Sequence, residues 1–124
     1  MLRQSFRLAL VTDGLAAMQR RKVEALSLEA SVDAIIYCWE EGCPKPSGRG
    51  FELALRKLDA SGVAVIGDNV AHDLPAAVEL GLPFIRVRGG RFADVETPAA
   101  PVEVIEIRSF PEVPSALRRL RVWD

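Results

Sequence analysis

Five apolar runs alternate with amphipathic stretches along the 124 residues, and this alternation limits the folds open to the chain. The runs are RLALVTDG (7–14), VDAIIYCW (32–39), VAVIGD (63–68), LPFIRVRGG (82–90) and VEVIEIRS (102–109). Short apolar runs that end in Gly, Pro or polar residues are typical of strands buried on both faces. The other stretches with helical spacing predict four helices, at residues 15–28, 51–60, 71–81 and 113–122.

Strands that alternate with helices predict parallel pairing, because each helix carries the chain back to the starting edge of the sheet. We therefore predict a three-layer, doubly wound α/β fold, Rossmann-like, with a mainly parallel five-stranded sheet in a single domain over residues 1–124. In the first helix, apolar residues at Leu15, Met18, Val23 and Leu26 predict the inward face. The basic run RRK at 20–22 predicts a solvated face.

Composition excludes several classes of function. Sixteen Lys and Arg residues against 17 Asp and Glu residues give a net charge of -1, which argues against a general nucleic-acid binder. No apolar run reaches membrane-spanning length, so we expect no membrane partner. Two cysteines and the lack of a signal-peptide pattern predict a reduced, cytoplasmic setting.

Polar residues stand where the predicted strands end, and ligands of such sheets bind at the carboxyl ends of the strands. We expect these residues to converge on one cleft: Thr12 and Asp13, Lys45, Asp68 and Asn69, and Arg88 with Gly89 and Gly90. A hydroxyl and a lysine suit a phosphate, because both donate to its oxygens. Two carboxylates suit Mg²⁺, which one or two protein carboxylates usually hold together with water and phosphate oxygens.

The segment GDNVAHD (67–73) carries its two acids five positions apart. Asp68 leaves the third strand and Asp73 falls on the first turn of the next helix, so we expect both to face one Mg²⁺. Each residue also has an ordinary structural explanation. In this alternative, Asp68 would cap the helix, the helix dipole would favour Asp73, and Lys45 would be a solvated lysine between prolines.

The ordered set of motifs resembles the carboxyl-terminal part of the haloacid dehalogenase (HAD) superfamily, in particular its phosphatase-type hydrolases. The matching segments are LVTDG (10–14), KPSGRGFELALRKL (45–58) and VIGDNVAHDLPAAVELGLPFIRVRGG (65–90). The resemblance implies that Thr12 and Lys45 hold the transferred phosphoryl group and that Asp68 and Asp73 hold Mg²⁺. We also predict substrate-binding roles for Gly14, Asn69 and Arg88, with phosphate or a phosphorylated small molecule as partner. Asp13 stands where the family commonly has Asn.

The family's nucleophile lies in a D-x-D-x-T motif, and the sequence contains none. Only MLRQSF precedes the first predicted strand, so we expect the family's central strand and its cap to be missing. Without the matched aspartates there is no phosphoenzyme nucleophile and no general acid and base. We therefore expect conventional turnover to fail.

Loss of the central strand leaves two arrangements open. If the neighbouring strands close up, the order becomes 2-1-3-4-5, which is flavodoxin-like. Asp13 and Asp68 would then flank one crevice, and we hypothesise that Asp13 replaces the missing acid as a metal ligand or a nucleophile. Alternatively, the gap stays open and a second copy of the chain fills it, which predicts a homodimer through an exposed strand edge.

Three classes of function follow. The first, which we favour, is a degenerate phosphatase relative that keeps a phosphate and Mg²⁺ half-site without turnover alone. The second is an active phosphohydrolase that uses Asp13, Asp68 or a partner chain. The third is a noncatalytic interaction module on the same fold.

Overall fold

The computed structural model describes residues 6–12, 16–26, 32–38, 42, 48–58, 62–89 and 93–120. Its chain divides into two compact units, residues 1–61 and 62–124. The first unit contains β1 (Ala9–Thr12), α1 (Ala16–Ala25), β2 (Ala34–Tyr37) and α2 (Arg49–Leu58). The second contains β3 (Val65–Gly67), α3 (Asp73–Glu79), β4 (Phe84–Val87), β5 (Val104–Ile107) and α4 (Val113–Arg119), with a 3-10 turn at Phe110–Glu112. Every predicted strand and helix has a counterpart, whereas the single domain over 1–124 stays a prediction.

All described strand pairs are parallel, which confirms the predicted α/β class. In the first unit β1 pairs with β2, and in the second the order is β3-β4-β5. The pairing of β1 with β3, which the order 2-1-3-4-5 requires, stays a prediction, as does a homodimer through a strand edge. Within the described residues, no helix has the length and apolar character to span a membrane.

The core of the first unit lies between its two strands and α2. Ile36, Cys38 and Ala54 are buried there, and Val11 and Leu53 pack against them. At the end of α2, the Arg7 guanidinium donates to the carbonyl of Leu58. A cation at this position satisfies a backbone oxygen that has no partner within its own helix.

The inward face of α1 differs from the prediction. Val23 is buried at 3% exposure, but Met18 and Leu26 are exposed at 53% and 68%. Gln19 lies one turn before Val23 and is half-buried, so the inward stripe runs through 19 and 23. Leu15 lies outside the described residues. The prediction was wrong because it counted only apolar residues, whereas this helix turns a polar side chain toward β1.

In the second unit, β4 lies between two strands and all four of its residues are buried. α3 ends where its sequence predicts, at Gly81, which has a φ of 67°. The N–H of Gly81 donates to the Val78 carbonyl at 3.0 Å, and the N–H of Leu82 donates to the Ala77 carbonyl at 2.9 Å. These two bonds are the Schellman termination, which requires the left-handed backbone that glycine adopts without strain.

Charged side chains lie in register across β4 and β5. Arg86 pairs with Glu106, and Arg86 Nη1 lies 3.8 Å from Glu106 Oε1. Arg86 also donates to the Thr97 hydroxyl, which in turn donates to Glu106. Arg88 Nε reaches the other Glu106 oxygen at 3.1 Å. The hydrogen bond from Thr97, followed by the bond and charge of Arg88, holds the pKa of Glu106 below its usual range.

This network predicts a pH-dependent stability. A depressed pKa means that the Glu106 contribution is fully present above the unfolded value of about 4.3 and is lost as the pH falls through the folded pKa. We expect the stability difference between the wild type and Glu106→Gln, measured by urea unfolding, to be largest near pH 7 and to shrink below pH of about 4.5. Glu103→Gln, at an exposed position beside the same strand, is the control. A constant difference at all pH values would contradict the prediction.

Candidate functional site

The acidic segment after β3 places its two aspartates differently. Asp68 follows the last residue of the strand and is exposed, whereas Asp73 is the first residue of α3 and is buried at 7% exposure. Between them, the Asn69 carbonyl accepts hydrogen bonds from the N–H groups of His72 (3.1 Å) and Asp73 (2.8 Å). This turn carries the chain from strand to helix in five residues. The sequence prediction that Asp73 opens the helix is therefore confirmed.

The Asp73 carboxylate lies back against the end of β3. Its Oδ2 accepts a long hydrogen bond, 3.4 Å, from the N–H of Asn69. A methyl group on Gly67 would lie against Oδ2 and only 2.9 Å from Cγ of Asp73, closer than carbon atoms pack. The carboxylate thus occupies the space that any larger residue at position 67 would fill. Glycine is required at this position because the Asp73 carboxylate approaches it closely, and not because of its backbone φ angle.

The hydroxyl of Thr12 lies at the carboxyl end of β1, in the first unit. Its Oγ1 donates to Oε1 of Gln19 on α1 at 3.1 Å. The strand end is fixed by the N–H of Cys38, which donates to the Thr12 carbonyl at 2.8 Å. The structure therefore places this predicted phosphate ligand at a strand end, in contact with a helix side chain that the sequence reasoning did not select.

Arg88, a predicted substrate-binding residue, is engaged by the protein. Besides its bond to Glu106, its Nη1 donates to the Ala93 carbonyl at 3.0 Å. These contacts hold the side chain along the 93–107 segment, and its substrate role stays a prediction. Asp13, Gly14 and Lys45 lie outside the described residues, so their roles also stay predictions.

The donor atoms after β3 suit Mg²⁺ by their chemistry. Asp68, Asn69 and Asp73 supply carboxylate and amide oxygens, which are hard ligands of the kind this cation prefers. Among the residues that the structure describes, no three His, Cys, Asp or Glu side chains cluster into a metal site. Two carboxylates are nevertheless enough for Mg²⁺, because water and phosphate oxygens usually complete its coordination.

Gln19 is the residue at this end of β1 that the sequence reasoning missed. A signal for it was available, because it stands seven residues after Thr12 and four before Val23. A polar residue at i−4 from a buried one lies on the inward stripe of a helix. A polar side chain on that stripe has to find a partner, and the end of the preceding strand is the nearest source.

Comparison with known proteins gives a family match. The model of the haloacid dehalogenase-like hydrolases matches residues 1–81. The glyceraldehyde 3-phosphate phosphatase of Methanocaldococcus jannaschii is 33% identical over 92 residues, which are 73% of this chain and 40% of that protein. The chain therefore spans about 40% of the length of this curated relative.

Two solved structures show the same fold. The magnesium-bound HAD-hydrolase YfnB from Bacillus subtilis superposes with a TM-score of 0.77 at 24% identity, over 94% of this chain and 51% of that one. A HAD phosphatase from Thermococcus onnurineus gives a TM-score of 0.77 at 23% identity, over 94% of this chain and 53% of that one. At these identities the likeness concerns the fold. It confirms the predicted HAD-like, Rossmann-like α/β architecture.

Proposed function

The chain belongs to the haloacid dehalogenase-like hydrolases, and on that premise we propose that it binds Mg²⁺ and the phosphoryl group of a phosphorylated small molecule, without turning over phosphomonoesters by itself. The observation that carries the proposal is the Asp73 carboxylate, which packs on Gly67 and accepts a hydrogen bond from the N–H of Asn69. Asp73 is the first residue of α3, directly after the turn that follows β3. A carboxylate fixed at this place supplies a hard oxygen ligand of the kind that Mg²⁺ prefers.

Asp68 and Asp73 would hold Mg²⁺, and the substrate-binding role of Asn69 stays a prediction. The bound cation would supply positive charge that neutralises phosphate oxygens. Asp68 is exposed and therefore accessible to solvent ions, whereas Asp73 is fixed by its packing on Gly67. One exposed and one packed carboxylate suit a cation that enters from solvent, because the exposed ligand can meet the ion before its water shell is replaced.

Thr12 and Lys45 would hold the phosphoryl group, by a hydroxyl hydrogen bond and an ammonium charge. The relative from M. jannaschii, named for a phosphorylated three-carbon sugar, supports a small phosphorylated ligand. The 124 residues contain no D-x-D-x-T segment, so no residue of this chain matches the family nucleophile. Binding without turnover is the function that this set of residues supports best.

The metal half of the proposal is tested by isothermal titration of Mg²⁺. We expect Asp68→Asn to weaken Mg²⁺ binding at least tenfold, because an amide replaces a charged ligand. Its stability should change little, since the side chain is exposed. Asp94→Asn, an exposed acid in the same unit, is the control and should bind as the wild type does. Equal affinity in all three proteins would overturn the metal site.

The catalytic half is tested by hydrolysis of a generic phosphomonoester with and without Mg²⁺. We expect no turnover by the purified chain. Mg²⁺-dependent turnover that disappears in Asp68→Asn would instead establish the active phosphohydrolase, and Asp13→Asn would be the next variant. A chain that binds neither Mg²⁺ nor phosphate would favour the interaction module.

A further inference from the structure

The hydroxyl of Thr12 has a single proton, and in the structure that proton points to Oε1 of Gln19 at 3.1 Å. In this state Oγ1 can offer only lone pairs to a further ligand. An unprotonated phosphate oxygen only accepts, so it gains no hydrogen bond from a hydroxyl whose proton is directed elsewhere. Phosphate binding by Thr12 therefore requires that the proton be released from Gln19.

The side-chain amide of Gln19 offers a way to release it. Its oxygen and nitrogen occupy nearly equivalent positions, and a half-turn about the last side-chain bond exchanges an acceptor for a donor at the same distance. After that half-turn Nε2 donates to Thr12 Oγ1, and the hydroxyl proton is directed to the phosphate. No atom has to move by more than a bond rotation.

We propose that Gln19 is a positioning residue that sets the direction of the Thr12 hydroxyl proton. The proposal rests on the proposed phosphate-binding role of Thr12. With its oxygen toward Thr12 the amide keeps the hydroxyl turned away from the ligand. With its nitrogen toward Thr12 it completes a chain of donors from Gln19 through Thr12 to the phosphate oxygen, and such chains strengthen each bond in them.

Neighbouring contacts hold the helix and the strand that carry these two side chains. Val23, one turn after Gln19, is buried, and the Arg20 guanidinium lies over the Tyr37 ring at 4.6 Å from its centroid. This cation–π contact holds α1 against β2. The backbone hydrogen bond from Cys38 to Thr12 fixes the end of β1. The helix and the strand thus keep the two side chains in contact while the amide turns.

The test is inorganic phosphate binding, measured by isothermal titration, in a double-mutant cycle of Thr12→Val and Gln19→Leu. We expect Thr12→Val to lose about 10- to 100-fold in affinity, because it removes a hydrogen bond to a charged group. Gln19→Leu should lose about 3- to 10-fold, since the hydroxyl loses its orienting donor. In the Thr12→Val background, Gln19→Leu should have no further effect.

The Gln19→Glu variant gives a measurement that would not change if Gln19 had only a structural role. A carboxylate only accepts, so it keeps the Thr12 proton turned away, and we expect a loss at least as large as that of Thr12→Val. A protonated carboxyl can donate again. With sulfate as the probe, whose charge is constant in this range, the affinity ratio of wild type to Gln19→Glu should fall as the pH is lowered from 7.5 toward 5. The control is Arg21→Gln, which lies at an exposed position on the same helix and changes the net charge by the same amount as Gln19→Glu.

The outcomes distinguish the positioning role of Gln19 from the proposed phosphate binding. If the wild type binds phosphate and Gln19→Leu binds equally well, only the positioning role is overturned. If Gln19→Leu weakens binding as strongly in the Thr12→Val background, Gln19 acts independently of the hydroxyl, and the proposal is also overturned. If the wild type binds no phosphate, the proposed function fails and the positioning role fails with it. Thermal unfolding of the wild type, Thr12→Val, Gln19→Leu and the double variant then shows whether the Thr12–Gln19 bond contributes to the fold alone.

Discussion

Gly67→Ala is expected to destabilise the protein by about 1–3 kcal/mol and to weaken Mg²⁺ binding more than tenfold, because the added methyl group lies where the Asp73 carboxylate packs. The backbone of β3 is held by its pairing with β4, so the side chain has to move. A displaced Asp73 carboxylate would no longer hold its position as a ligand of the proposed Mg²⁺ site. The changes are measured by urea unfolding and by Mg²⁺ titration.

Two further variants make this prediction specific. In Gly62→Ala, the added methyl group meets no atom within 4 Å, so we expect its stability to be unchanged or slightly higher. In the Asp73→Ala background, Gly67→Ala should cost less than in the wild type, because the carboxylate that it displaces is already gone. Additive losses would mean that the methyl group clashes with an atom other than the carboxylate, such as the Cβ that residue 73 keeps in Asp73→Ala.

The sequence predicts the strands and helices well because their signals are local. Apolar runs, helical spacing and Gly81 after α3 are each read within a few residues, and the described ends of the elements fall within a few positions of the prediction. The placement of Asp73 at the first turn of α3 follows from the same local spacing. Its close packing on Gly67 also depends on the sharp turn between them, through the bonds to the Asn69 carbonyl.

The missed features depend on contacts between one element and the next, which a pattern within a single element does not record. Gln19 acquires its role from contact with Thr12 across the β1–α1 connection, and no pattern within α1 alone specifies that partner. The apolar pattern predicts that Met18 and Leu26 face inward, yet both are exposed. The helix is oriented by Val23 together with a polar contact, which a hydrophobic pattern does not record.

Arg86 is the clearest case of a residue whose role the hydrophobic pattern does not record. It lies in the apolar run LPFIRVRGG and is 0% exposed, although a buried guanidinium is unusual. The register Gly67–Arg86–Glu106 puts the three positions in one row across β3, β4 and β5, with their side-chain directions on one face.

Arg86→Ala is expected to destabilise the protein by about 2–4 kcal/mol, because it deletes a fully buried side chain and leaves a cavity in the central strand. Arg86→Met fills most of that volume and should cost less than about 1.5 kcal/mol. Glu106 tolerates the loss of its buried partner, since it is partly exposed and keeps its bond to Arg88. Urea unfolding of the wild type, Arg86→Ala and Arg86→Met measures the order of their stabilities.

The guanidinium has a second role that Met cannot supply, namely its hydrogen bond to the Thr97 hydroxyl. We therefore expect limited proteolysis between residues 93 and 103 to be faster in Arg86→Met than in the wild type, even where global stability is nearly restored. Thr97→Val, which removes the same bond from the other side, should show the same local cleavage. If Arg86→Met were as unstable as Arg86→Ala, the charge and hydrogen bonds of Arg86, and not its volume, would be what β4 requires.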